Sequence, residues 1–234
     1  MRPALRALAL LVPALVTVDR ARPPAAPPTT RIALGARTAT DSEGPAAARR
    51  ALAVAGGAVY LGAMFAETDS VIRRWEASAL GALTVAYVPS GLPGWAPADL
   101  AVARDAFRSW ARVIPGLRVT EVADTAGAEV VVRWIPRFTF DRTGQADLQW
   151  DGVGRIRHVD VQLALADQEG RPLGADLRRA VALHEAGHVL GLPHSDDPED
   201  LMYATTRLPR LTSRDTASLR LLYSLSPGSI KVRP

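Results

Sequence analysis

Cysteine is missing from all 234 residues. That absence excludes a disulfide framework, a thiol nucleophile and a thiolate metal site, so any bound metal must be held by nitrogen and oxygen. Lysine is nearly missing too: Lys231 is its one representative, and arginine carries the formal net charge of +4. The arginines are scattered, with pairs at Arg49-Arg50, Arg73-Arg74 and Arg178-Arg179. No dense basic tract interleaved with aromatics forms, which weighs against nucleic-acid binding. Long apolar runs are scarce as well. One covers residues 7–18 and another covers 51–66, the second interrupted by Gly56-Gly57 and Gly62. Both fall short of the roughly 20 residues that span a bilayer as a helix.

The first run follows Arg2 and Arg6, and a charged start before a short apolar stretch has the form of a secretory signal. Residues 1–22 are therefore expected to be a signal peptide or an N-terminal anchor. No small-x-small pattern marks a clean cleavage point, so the exported and membrane-anchored forms both stay open. Pro23, Pro24, Pro27 and Pro28 make residues 23–45 a stiff linker. Residues 46–78 read as a helical segment, with 51–66 expected to pack on the following domain rather than enter a membrane. Residues 79–226 have the length of one sizeable domain, and 227–234 are expected to be a loose tail.

Inside that domain, 83–88 alternates and ends at Pro89, the pattern of a strand. Pro97 then opens a helix on which Leu100, Ala103, Phe107, Trp110 and Ile114 recur at helical spacing. Strands are expected at 117–122 and 128–135, the second with Val130-Val131-Val132 buried on both faces as in a parallel sheet. An edge strand is expected near 144–150. Over 155–166 the residues Val159, Val161, Leu163 and Leu165 share one face, and His158, Asp160 and Gln162 share the other. A helix running to about Leu190 takes Asp176 as its expected N-cap. Thr212 and Asp215 have the capping-box spacing before a last helix packed through Leu219, Leu222 and Tyr223. This order of elements defines an α/β fold, or α+β in some schemes.

Three of the four histidines fall in the stretch 184–194. His184 and His188, four apart on a helix, turn both imidazoles toward one point, and Glu185 lies one step round. Gly191 allows the helix to stop and reverse, delivering His194 as a third ligand. H-E-x-x-H alone is short enough to occur by accident. The extended H-E-x-x-H-x-x-G-x-x-H with Met202 behind it is much more specific. The stretch resembles the metzincin zinc endopeptidases. Met202-Tyr203 after His194-Ser195 is most similar to the matrixin branch (peptidase family M10), in a minimal, bacterial-style form. The resemblance covers about residues 83–226, with 184–203 its specific part.

What the resemblance implies is a zincin-like domain: a twisted, mixed five-stranded sheet, two long helices and a C-terminal helix. It implies one catalytic Zn2+ on His184, His188 and His194, and Glu185 as general base toward a metal-activated water. Met202 would form the apolar floor of the Met-turn and Tyr203 would line a substrate pocket. A peptide or protein substrate would lie along the edge strand of an exported monomer. Some family details do not carry over. Without cysteine there is no cysteine-switch latency, and His158 alone cannot supply a second zinc site. Calcium at Asp160, or around Asp147 and Asp151, is not demanded by any spacing, and Ala204 stands where proline usually follows the tyrosine. The acids at 196–200 read as a solvated loop. Two alternatives keep the same scaffold: an inactive zinc-binding or peptide-binding module, and a hydrolase of a non-peptide amide.

Overall fold

The computed structural model of the chain describes residues 40–67 and 70–231. The expected leader, residues 1–22, and residues 23–39 of the proline-rich linker lie outside these residues. The described chain begins with helix α1 (Thr40–Ala55), a 3-10 turn (Gly56–Ala58) and helix α2 (Gly62–Glu67). Strand β1 (Val71–Ile72), helix α3 (Ala77–Leu80), strand β2 (Leu83–Tyr87) and helix α4 (Pro97–Ala111) follow. Next come strands β3 (Val119–Glu121), β4 (Val130–Ile135), β5 (Gly144–Trp150) and β6 (Ile156–Ala164). Helices α5 (Ala175–Val189) and α6 (Ser213–Ser224) and strand β7 (Gly228–Ser229) complete it.

The main sheet has five strands in the order β3-β2-β4-β6-β5. All neighbours are parallel except β5, which runs antiparallel to β6. The mixed sheet is thus present, with β5 on the expected edge. Val130, Val131 and Val132 are all buried, as a strand covered on both faces requires. On β6, Val159, Val161 and Leu163 enter the main core, where Phe107 and Trp110 of α4 and Val181 and Leu183 of α5 meet them. His158, on the opposite face, lies 3.1 Å through Nδ1 from the Ala128 carbonyl and 3.2 Å through Nε2 from Asp160, so it serves as a structural residue there.

A buried ion pair ties the two long helices. Asp99 on α4 accepts from the Ala96 backbone N–H at 2.8 Å, closing the first turn, and from Arg178 of α5 at 2.8 Å. Arg178 reaches further, to the carbonyls of Leu173 and Gly94.

Four expectations are corrected. The stretch 46–78 is not one helical run: α1 begins earlier, at Thr40, and Gly56-Gly57 break it, since glycine favours leaving the helix. Val59, Tyr60, Leu61 and Met64 then enter the core, and among the described residues no helix is long and apolar enough to cross a membrane. Asp176 is not an N-cap; Gly174 holds that place and Asp176 lies in the first turn, where its charge complements the helix dipole. The tail is not loose over Gly228–Ser229, which pair antiparallel with β1 while Ile230 is buried beside them. The acidic turn after His194 is not wholly solvated: Asp200 is 3% exposed.

Breaking the pair that joins α4 to α5 should be costly. Asp99→Ala leaves the half-buried Arg178 guanidinium without its carboxylate and removes the bond to the Ala96 N–H, and is expected to destabilise the protein by about 1.5–3 kcal/mol in urea unfolding. An effect below about 1 kcal/mol would show that the pair contributes nothing beyond a surface contact.

Candidate active site

Helix α5 carries the motif and stops directly after it. Gly191 adopts φ +94°, and its N–H donates to the His188 carbonyl at 2.8 Å while that of Leu192 donates to the Gly187 carbonyl at 3.1 Å. This Schellman closure uses the left-handed conformation that glycine enters freely. A side chain at 191 would also meet the Arg73 carbonyl at 2.5 Å.

The reversal brings the three imidazoles together. His184 Nδ1 donates to the Leu201 carbonyl at 2.9 Å and His188 Nδ1 to the Leu192 carbonyl at 2.8 Å. A neutral ring that donates from Nδ1 carries a lone pair on Nε2. His188 Nε2 lies 3.1 Å from His184 Nε2 and 3.2 Å from His194 Nε2. Between His184 and His188, lone pair therefore faces lone pair, which repels unless a cation lies between them. Nitrogens bound at about 2.05 Å in a tetrahedral zinc site are about 3.3 Å apart, so the spacing fits such an ion. Among the described residues, His184, His188 and His194 form the one group of three or more His, Cys, Asp or Glu able to hold a metal. Burial lowers the His184 pKa from the usual 6.5 to about 4 and holds that of His188 well below its ordinary value, so both rings stay neutral donors.

Glu185 projects into the gap between α5 and β5. It is 5% exposed, and its Oε2 has no hydrogen-bond partner among the described residues. Burial pushes its carboxyl up to about 8, with Asp147 adding to the rise and Arg142 opposing it. Gly144, the first residue of β5, makes room for this side chain: a Cβ there would lie 2.3 Å from Glu185 Oε1 and 2.7 Å from both Glu185 Cγ and Val181 Cγ1.

Beneath the histidines lies Met202, fully buried, its sulfur so close to Gly187 that a Cβ on that glycine would meet it at 2.4 Å. Tyr203 is half-buried and bridges Ser195, whose N–H donates to the Met202 carbonyl at 2.8 Å. The turn is held from α6. Asp215 caps its own helix as expected, accepting from Thr212 N at 2.8 Å, but it also accepts from Leu201 N at 3.1 Å and Met202 N at 3.3 Å. Arg214 binds Asp200 at 2.6 Å, Asp196 at 2.7 Å and Ser195 Oγ at 3.0 Å. The structure thus brings His184, His188 and His194 together, with Met202 against Gly187 of the same helix, Glu185 against Gly144 of β5 and Tyr203 beside Ser195. Gly144, Arg214 and the second task of Asp215 escaped the sequence reading, because each works through residues distant in the chain.

These features define a class: an α/β protein with a three-histidine metal centre at a helix end, a buried carboxylate beside it and an open sheet edge alongside. The matrixin family model (peptidase M10) matches residues 95–224, more than half of the 234-residue chain. The chain belongs to the matrixin family. It is similar to metalloendoproteinase 4-MMP of Arabidopsis thaliana, 34% identical over an alignment of 177 residues, gaps included, that covers 66% of this chain and 49% of that protein. It is also similar to matrilysin of Felis catus, 42% identical over 80 residues, 34% of this chain and 26% of the relative. The hatching enzyme of Paracentrotus lividus is 34% identical over 140 residues, 54% of this chain and 22% of its own length. The chain spans half or less of the length of each of these relatives.

Two outcomes follow from the geometry. In the metal-free protein, the His184 ring should titrate near pH 4 instead of near its usual 6.5, as NMR would record. Gly144→Ala should lower stability by about 1–3 kcal/mol in urea unfolding, because its Cβ overlaps the Glu185 side chain and Val181. An unchanged midpoint would mean that the edge strand yields at no cost.

Proposed function

We propose that the protein is an exported zinc endopeptidase, with His184, His188 and His194 holding one zinc ion and Glu185 moving the proton. The observation that carries this reading is the convergence of three imidazole nitrogens, at 3.1 and 3.2 Å around His188 Nε2, with the buried carboxylate of Glu185 on the same helix directly after His184. Membership of the matrixin family supports it, as does likeness to a metalloendoproteinase. Zinc in a three-histidine site supplies Lewis-acid polarisation of a carbonyl and brings the pKa of water toward neutrality.

The chain's own groups supply the remaining steps. Glu185 takes a proton from the attacking water as the water oxygen adds to the peptide carbonyl carbon. It returns that proton to the amine nitrogen as the C–N bond breaks. A carboxyl pushed up to about 8 by burial is a stronger base than a solvated one, and a neighbouring dication favours its ionised form. Met202 gives the histidines an apolar floor, and Tyr203 lines the pocket for the side chain after the scissile bond. Strand β5 lies at the sheet edge, so an extended substrate adds beside it through backbone hydrogen bonds, with Gly144 and Glu185 at one end of that contact. Export rests on the apolar run at 7–18 behind Arg2 and Arg6, which lies outside the described residues.

The test compares wild type with Glu185→Ala on casein or a peptide library, with zinc content measured in both. Wild type is expected to carry about one zinc ion per chain. The variant should keep the metal and lose about a hundred- to ten-thousand-fold in kcat/KM. Full hydrolysis by the variant would sink this reading, and bound zinc without hydrolysis in wild type would favour a binding module instead.

A further inference from the structure

The turn at residues 57–60 lies outside the 95–224 span that the family model matches, yet it is seated on the first turns of α6. Tyr60 is 3% exposed. Its hydroxyl donates to Asp215 Oδ1 at 2.9 Å and its backbone N–H donates to Ser218 Oγ at 3.1 Å. Arg214 reinforces the contact, donating from Nε to the Gly57 carbonyl at 3.0 Å and placing its guanidinium 5.5 Å from the Tyr60 ring centre. Burial, with Asp215 adding to it, pushes the phenol above its ordinary range, so it remains a donor.

What Asp215 does with that hydrogen bond connects Tyr60 to the metal centre. Asp215 is fully buried, and its other donors are the backbone N–H groups of Leu201, Met202 and Thr212 and the Thr212 hydroxyl. A buried carboxylate keeps its orientation through the donors that surround it. Apart from Tyr60, the donors among the described residues come from 201–212, the segment that Asp215 itself has to hold. On Oδ1 the remaining backbone donor is Met202 N at 3.3 Å, the longest bond of the set. The phenol is thus the anchor supplied from elsewhere in the chain. Leu201 then passes the restraint on, because its N–H donates to Asp215 while its carbonyl accepts from His184 Nδ1 at 2.9 Å.

We infer that Tyr60 is a positioning residue for the metal centre: its hydroxyl fixes the Asp215 carboxylate, which fixes the Leu201 and Met202 peptides and, through them, the His184 ring. The inference rests on the zinc reading above. Groups that orient a metal-bound histidine commonly change metal affinity about 10–100-fold when removed.

Two full-length variants separate positioning from plain stability. Tyr60→Phe removes the hydroxyl and keeps the ring; Ser218→Ala removes the other hydrogen bond that holds the same turn and leaves Asp215 untouched. Both should lower the thermal midpoint. Tyr60→Phe alone should release zinc to a chelator about tenfold faster than wild type and shift the Nδ1 proton resonance of His184 in the metal-free protein. Release at the wild-type rate with an unshifted resonance overturns the inference, and so does equal acceleration in both variants. A wild type that binds no zinc would overturn the reading of the site, and the metal-free resonance would still decide the role of Tyr60.

Discussion

Two imidazole lone pairs 3.1 Å apart are the constraint that the rest of this structure serves. Left alone, the rings would turn away from each other and take water as a partner. They are prevented because each has committed its Nδ1 proton to a backbone carbonyl, of Leu201 for His184 and of Leu192 for His188. Neither acceptor belongs to the helix that carries the ring. Each exists only because the chain reverses at Gly191 and returns beneath α5, so the helix stop and the turn through Met202 act on the metal centre as directly as the ligands do. The same carbonyls select the tautomer that leaves Nε2 free to bind.

Much of this was legible in the residue order, and the part that was not has a common physical cause. The metal motif is local: a spacing of four on a helix and a glycine reversal bring its members together whatever the tertiary context. The edge strand at 144–150 and the Thr212–Asp215 capping box were readable for the same reason. Tyr60 was not, since it meets Asp215 across 155 positions of sequence and looks like one more aromatic in an apolar run. Asp200 looked solvated as one of four acids in the turn, and only the folded chain supplies the Arg214 guanidinium that offsets its burial. Asp176 was misread because side-chain type suggests a cap, whereas backbone conformation decides where the helix begins, and the chain is extended at Gly174.

An open sheet edge beside a reactive centre is both useful and hazardous, because unpaired backbone groups will accept any extended chain. β5 manages this with polar and charged side chains on its outer face. Gln145 joins Asp147 at 2.6 Å and Arg142 at 2.8 Å, while Ala146 and Leu148 pack toward the core. The register with β6 shifts between Gln149 and Trp150, and the Arg73 guanidinium lies 4.4 Å above the Trp150 ring. A register shift strengthens local twist and ends regular pairing. The stretch of edge that keeps regular pairing with β6 includes the part beside Glu185, where glycine keeps the strand close to the carboxylate.

The end of α5 is the place where a helix would ordinarily fray, since its last carbonyls have no partner within the helix. Here buried and half-buried aromatic donors take them up. Trp75 Nε1 donates to the Val189 carbonyl at 2.8 Å and the Tyr223 hydroxyl to the Leu190 carbonyl at 3.0 Å. Nearly two turns earlier, Trp110 Nε1 donates to the Leu183 carbonyl at 2.8 Å, directly before the first histidine. Each ring also fills core volume, so loss of the hydrogen bond and loss of packing come together and the turn has no inexpensive way to open. The bonds lock His188 in a helix terminus whose dipole carries partial negative charge, the sign that favours a cation held nearby. Chain reversal, aromatic caps and dipole thus act in one direction: they make the last turn of α5 rigid where the lone pairs meet, and leave electrostatics favourable to the ion that relieves their repulsion.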